Sequence, residues 1–380
     1  MAGIYLHIPF CKQACHYCDF HFSTNLRKKE DMLLALQQEL VLRKGEFKDQ
    51  QVATIYFGGG TPSVLQVDEI NRLIQTVYEH YDVAEAPEIT LEANPDDLST
   101  KKLQELAASR INRLSIGVQS FFDEDLKLMN RAHNAEQAKA SLREATELFD
   151  NISIDLIYGI PNADHGRWKK NIATALSFNI PHISSYALTV EPRTALQKFI
   201  EKGIIPEVDD TMAAKQFQML ISHLETAGFV HYEVSNFGKP GYFSVNNTAY
   251  WQGKHYMGIG PSAHSFNGTQ RAWNIANNSK YIQAIAKSEL PKEIETLSTR
   301  DRYNEYIMTG LRTMWGVSLD NVRTAFGPQY AEYLMLQSER HRAEQLLFLD
   351  GDTLLVTSRG KFLSDGLAAD LFMLNLEKKK

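Results

Sequence analysis

The chain has 380 residues, of which 43% are hydrophobic, 10% aromatic and 23% charged, the proportions of a folded protein and not of a disordered or fibrous one. Forty Lys and Arg against 46 Asp and Glu leave a net charge of −6, which argues against broad electrostatic binding to nucleic acid or to an anionic membrane. At about 100–200 residues per domain the length allows one large domain and a smaller one. Short β-rich runs alternate with helical patterns from residue 3 to about 190: Gly3–Pro9, Thr54–Phe57, Glu88–Glu92, Arg113–Val118, Asn151–Tyr158 and His182–Leu188. After the first run, Met32, Leu33, Leu36 and Leu40 fall on one helical face, with Gly45 as the expected stop. Asp68–His80 and Glu136–Leu148 are further helical stretches. Near-continuous apolar strands alternating with helices predict an α/β fold with a parallel sheet, either doubly wound or most of a β/α barrel.

The polar residues that stand out lie at the C-terminal ends of the runs: Cys11 onward, Gly58–Pro62, Glu92, Gln119 and Asp155. Both folds place their sites there. Beyond residue 190 the alternation weakens. Asp210–Ala227 is a predicted amphipathic helix, with Phe217, Leu220, Ile221 and Leu224 on one face. From about residue 297 the pattern predicts two or three helices, then a hairpin over Leu346–Thr357 turning at Asp350-Gly351. Lys378–Lys380 is expected to be a frayed, solvated tail. The apolar runs are far shorter than the ~18–20 residues that cross a bilayer, and MAGIYLHIPFCK lacks the order of a signal peptide, so the expected location is cytoplasmic.

The chain has three cysteines, Cys11, Cys15 and Cys18, clustered on a loop after the first strand. An odd, clustered set is a poor disulfide framework and points to metal. Three thiolates can hold three irons of a [4Fe–4S] cube and leave the fourth without a protein ligand. The competing reading is a Cys₃His zinc site with His16, His21 or His7 as fourth ligand, against which stands the absence of a second C-x₂-C knuckle. Gly58-Gly59-Gly60-Thr61-Pro62 lets the backbone approach a ligand closely but matches no nucleotide fingerprint. Glu92, Gln119, Arg131 and Asp155 are each unremarkable singly. Together they supply what a charged nucleoside amino acid requires: an acceptor for an ammonium, a guanidinium for a carboxylate and acceptors for ribose hydroxyls.

With CxxxCxxC followed by GGGTP, ExNP, SIGVQSF, DLIYGIP and YALTVEP, the chain resembles radical S-adenosylmethionine (SAM) proteins. More narrowly, it resembles the family of oxygen-independent coproporphyrinogen III oxidases (HemN type) and HemW-type haem chaperones, as far as RGKFLSDGLAADLF near the end. The resemblance implies a partial (β/α)₆ TIM-like barrel with a small C-terminal helical, winged-helix-like domain. The barrel would span residues 1–230, a connecting region with NNxxYW and SAHS residues 231–296, and a HemN-like C-terminal domain residues 297–380. It implies that Cys11, Cys15 and Cys18 hold the cluster, whose open iron chelates the SAM amino and carboxylate groups. Tyr5, Tyr17, Gly59, Gly60, Thr61, Glu92, Gln119, Arg131, Asp155 and Ala187 match the family's SAM-contact positions. In that family the reduced cluster cleaves SAM to methionine and a 5′-deoxyadenosyl radical.

Two features separate the branches. The oxidases carry a fourth cysteine two positions after the third, where this chain has Phe20, and an N-terminal extension that the ten residues before Cys11 are expected to lack. HYEVSNFGKP and YMGIGPSAHSF also resemble the chaperones. The expected function is thus haem binding and transfer to acceptor haemoproteins, with an electron donor for the cluster as a further partner. Transient membrane association and a homodimer are compatible with it; nucleic acid is not expected. The alternatives are a coproporphyrinogen III oxidase and a zinc-stabilised binding module. The HemW-type motif HNxxYW departs here to Asn246-Asn247-Thr248-Ala249-Tyr250-Trp251. A carboxamide is a poor iron ligand beside imidazole, which leaves His255 and His264 as the nearby candidates for haem.

Overall fold

The computed structural model describes residues 2–374, and the expected tail at Lys378–Lys380 lies outside them. Each β-rich run forms a strand: β1 (Ala2–Ile8), β2 (Val52–Gly59), β3 (Val83–Ala93), β4 (Arg113–Gln119), β5 (Ile152–Tyr158) and β6 (His182–Ala187). They pair in parallel in chain order, with helices such as Lys29–Arg43, Val67–His80, Ala135–Leu148 and His165–Ser177 in the crossovers. Met32, Leu33, Leu36 and Leu40 are buried as their spacing requires. The helix they belong to ends at Arg43 through a right-handed Lys44, and Gly45 does not adopt the left-handed conformation of a glycine stop.

The strands are not apolar on both faces, which corrects the expectation. Ile4, Leu6, Ile55, Phe57, Ile89, Leu91, Leu114, Ile116, Ile152 and Ile154 face outward into one core with the helices. The alternate residues face a lumen and are polar or aromatic: Tyr5, His7, Thr54, Tyr56, Glu88, Thr90, Glu92, Arg113, Ser115, Ser153, Asp155, His182 and Ser184. Thr, Tyr and Ser suit a pleated strand as well as aliphatic residues do, so the runs look continuous when they alternate.

The barrel stays open. At the edge of β6 an antiparallel hairpin is added, β7 (Val230–Glu233) and β8 (Asn236–Gly238); at the edge of β1 lie the parallel β9 (Tyr256–Ile259) and then β10 (His264–Phe266), β11 (Gln270–Asn274) and β12 (Lys292–Thr296) as a meander. Residues 231–296 therefore supply both edges of the large sheet. They also supply a short helix, Val245–Trp251, that stands in the lumen. At the floor the Glu88 carboxylate accepts from the backbone N–H groups of Val245 and Asn246, each at 2.9 Å.

The remaining residues form a second core around Tyr303, Ile307, Leu334, Leu354 and Leu367. Helices Thr299–Leu311, Leu319–Phe326, Pro328–Ala343 and Ser364–Asp370 pack with a small antiparallel sheet of β13 (Val317–Ser318), β14 (Leu347–Asp350) and β15 (Thr353–Val356). The hairpin turn lies one residue later than expected. Asp350 pairs with Thr353, leaving Gly351-Asp352 as the loop, and Gly351 has φ 57°, as a glycine at the first central position of a II′ turn requires. Backbone bonds stitch this unit to the hairpin edge: Val234 N donates to Arg312 O at 2.8 Å and Met314 N to Tyr232 O at 2.9 Å. Among the described residues no helix is long and apolar enough to cross a membrane.

Candidate functional site

The thiol loop leaves β1 and is closed at its base, where Cys11 N donates to Ser23 O at 3.1 Å and Ser23 N to Pro9 O at 3.0 Å. Cys11 is buried; Cys15 and Cys18 are half-buried. Thr61 Oγ1 donates to the Cys11 sulfur and an Arg131 amine to the Cys15 sulfur, both at 3.4 Å. Burial pushes the Cys11 thiol up and that of Cys18 to about 11. The histidines considered for zinc each have a ring nitrogen committed elsewhere. His16 Nδ1 donates to Leu128 O and His7 Nε2 to His21 O, both at 2.9 Å, and His21 Nε2 donates to Asn278 Oδ1 at 2.7 Å. Among the described residues no three His, Cys, Asp or Glu side chains converge as a single ion would need. Three thiols, two with donors aimed at their sulfurs, and no fourth ligand among the described residues, fit a [4Fe–4S] cluster with one open iron.

Beside the loop, Gly59 ends β2 with φ 111°, and a Cβ there would lie 2.7 Å from the His7 ring. Gly60 N donates to Ile8 O at 2.9 Å and Thr61 N to Phe10 O at 2.7 Å, which ties the glycine loop to the thiol loop. Below them Glu92 accepts from the Tyr56 hydroxyl at 2.8 Å. Its carboxyl is pushed up to about 7, mainly by burial, with Asp155 across the lumen adding to the effect and Tyr56 and the Gly59 amide opposing it. Burial likewise raises Asp155 to about 6, against the pull of Arg131 and a hydrogen bond to Ser184. Tyr5 stacks on Tyr56 with ring centroids 6.0 Å apart.

Arg131 organises the opposite wall. It donates to Asn94 Oδ1 at 2.5 Å, to Gly117 O at 2.9 Å and to the Tyr17 hydroxyl at 3.4 Å. Its Nε is buried with no partner among the described residues. Gln119 closes β4 at φ 65°, a conformation uncommon outside glycine, and its amide lies near Arg131 around Gly117. Ala187 ends β6 opposite Tyr158. The expected residues of cluster and cofactor therefore share one end of the sheet. Tyr56 and Asn94 were missed. Asn94 lies within the ExNP segment, and Tyr56 lies two positions before Gly58 on the same strand face, so both carried a signal.

From Tyr5, Gly59 and Glu92 the lumen opens into a cavity of about 1000 Å³ that reaches the small domain. Tyr250, Trp251 and His264 line it, and Phe20 stands on its rim, 68% exposed. Burial and the nearby Arg271 hold the His264 imidazole below its ordinary pKa. Of the haem candidates, Asn246, Asn247 and His255 do not line this cavity. Asn246 is buried at the floor, where its Oδ1 accepts from Thr54 Oγ1 at 3.0 Å. Asn247 N is taken by the Ser244 hydroxyl at 3.2 Å, and Gln50 donates to His255 Nδ1 at 2.7 Å.

Residues 5–174 match the radical SAM superfamily and residues 297–363 the HemN C-terminal domain. Heme chaperone HemW of Bacillus subtilis is 33% identical over 376 residues, covering 96% of this chain and 97% of that one. Heme chaperone HemW of Mycobacterium tuberculosis is 33% identical over 380 residues, covering 97% and 94%. The solved structure of coproporphyrinogen III oxidase (HemN) from Escherichia coli superposes with a TM-score of 0.85 at 24% identity, over 98% of this chain and 90% of that one, and shares the fold. On the thiol loop, the open β/α sheet and likeness over nearly its full length, the chain belongs to the radical SAM superfamily, in the family of its HemW-named relatives.

Proposed function

We propose that this protein is a haem chaperone: it takes up haem and passes it to acceptor haemoproteins. The observation that carries the reading is the aromatic-lined cavity of about 1000 Å³ running from the cluster end of the lumen to the small domain. Its HemW-named relatives support it. Cys11, Cys15 and Cys18 would hold the cluster, with Thr61 and Arg131 donating to sulfur. A bound cluster, reduced by a partner protein, supplies one-electron chemistry to SAM. Glu92 offers the acceptor for the N–H groups of the SAM amine, Arg131 Nε the remaining donor for its carboxylate, and Asp155 and Gln119 the partners of the ribose. Tyr5, Tyr17, Gly59, Gly60 and Ala187 form the walls around them.

Anaerobic reconstitution should give about four irons and four sulfides per chain, as the cube requires. Stoichiometric zinc without a cluster would leave a zinc-stabilised binding module. The reconstituted chain should bind haemin and load apomyoglobin, and failure to do either would end the chaperone reading. The HemN-like architecture favours a second reading, an oxidase that decarboxylates coproporphyrinogen III. Phe20, exposed where the oxidases carry a fourth cysteine, opposes it. Incubation with SAM, reductant and coproporphyrinogen III should give no protoporphyrinogen, and repeated turnover would establish the oxidase.

A further inference from the structure

We propose that haem binds in the cleft between the barrel mouth and the small domain, with His264 as the protein ligand to iron and Arg302 as the partner of a propionate. This rests on the reading above that haem is the cargo. Three histidines line the cavity, His7, His21 and His264. His7 and His21 each donate through Nε2 to a protein oxygen, at 2.9 and 2.7 Å. The ring of His264 makes no hydrogen bond among the described residues; it sits at the start of β10, exposed, 6.2 Å from the Trp273 ring. A neutral imidazole with a free nitrogen facing a cavity is the donor that haem iron takes.

Haem also brings two carboxylates on an apolar disc, and the cavity is complementary to both. Two guanidinium groups line it, Arg271 and Arg302. Arg271 is paired with Glu305 at 3.0 Å. Arg302 is half-buried and has no carboxylate partner among the described residues. Arg302 and Glu305 lie three residues apart on the helix Thr299–Leu311, hence on one face. The free guanidinium therefore lies on the same helix face as the carboxylate that Arg271 occupies, in a cavity that Tyr256 and Phe266 also line. A planar fork of N–H donors matches the two oxygens of a carboxylate.

The test uses the full chain with its cluster reconstituted and three probes: haemin, iron-free protoporphyrin IX and haemin dimethyl ester. His264→Ala should shift the Soret band and weaken haemin by about tenfold or more, the scale of one strong directional contact, while protoporphyrin IX binds as before. Arg302→Gln should weaken haemin and protoporphyrin IX alike but leave the ester unchanged, and Arg302→Lys should recover part of the loss. His264 is exposed and Arg302 is unpaired, so neither change removes a contact the fold depends on; unchanged SAM binding checks this. If the unmodified chain binds haemin and neither substitution alters spectrum or affinity, the site is overturned and the haem reading stands. If the unmodified chain binds no haemin, both fall.

Discussion

Burial in the lumen favours the neutral form of Glu92. Its carboxyl is raised from 4.5 to about 7 by burial and by Asp155. The neutral form is therefore favoured in the folded chain, and the resulting stability is complete below about 4.5 and lost as pH rises through about 7. An N–H donor of the bound SAM amine reverses the balance by favouring the carboxylate. SAM titration of the reconstituted protein between pH 6 and pH 8 should show tighter binding as pH rises, and Glu92→Gln should flatten that dependence. An equally steep profile in the variant would remove Glu92 from the site. Asn246 invites a different experiment. Replacing it with the motif's histidine puts a bulkier ring beside Thr54 and Gly3 and removes the 3.0 Å bond from Thr54. Asn246→His should lower unfolding free energy by about 1–3 kcal/mol and leave haemin affinity unchanged, as denaturant titration and a haemin titration would show.

The helix Val245–Trp251 is held at its N-terminus by the Glu88 carboxylate together with the Ser244 hydroxyl. Glu88 caps its N-terminus and lies 3.7 Å from Arg113, with the two side chains 6% and 2% exposed. Glu88→Ala strips the cap and leaves Arg113 buried without its counter-charge, an arrangement that costs about 3–5 kcal/mol. Guanidinium unfolding should read that loss, with the milder Glu88→Gln losing less. Since Tyr250 sits on the same helix and is near enough to Glu92 to feel its charge, the alanine variant should also bind SAM more weakly. None of this was legible in the sequence. The helix is too short to show a hydrophobic period, and its cap lies 157 residues earlier in the chain. The six parallel strands were legible because β-rich runs recurred between helical patterns. The polar lumen was not, because Thr54, Tyr56, Thr90 and Ser115 read as ordinary strand residues until their partners are known.

At the scale of the molecule, two cores meet over one cavity. Arg312 at the end of the first small-domain helix pairs with Asp365 and reaches over the Trp251 ring at 5.2 Å, so the small domain touches the helix in the lumen. Haemin bound across that junction should stabilise both cores together. At a hundredfold excess over its dissociation constant the gain is about 2.7 kcal/mol, and calorimetry should show every unfolding transition moving upward. A transition that stays fixed would confine haem to one core. The thiol loop and glycine loop could be placed from sequence because their spacing is local. The cavity could not, since its walls come from Phe20, His264 and Arg302, which no pattern links.

The helix in the lumen also bears on synthesis. At about 5–20 residues per second, the 58 residues between Ala187 at the end of β6 and Val245 take a ribosome roughly three to twelve seconds. Throughout that interval β1–β6 stand as an unfilled half-barrel. Their apolar faces are already covered by the crossover helices made in the same stretch of chain, and what remains open is lined by Thr54, Glu88, Arg113, Ser153 and His182. Water wets such a surface. The waiting nascent chain therefore exposes little that aggregates, and the polarity that later serves a ligand first serves to keep a half-made protein in solution.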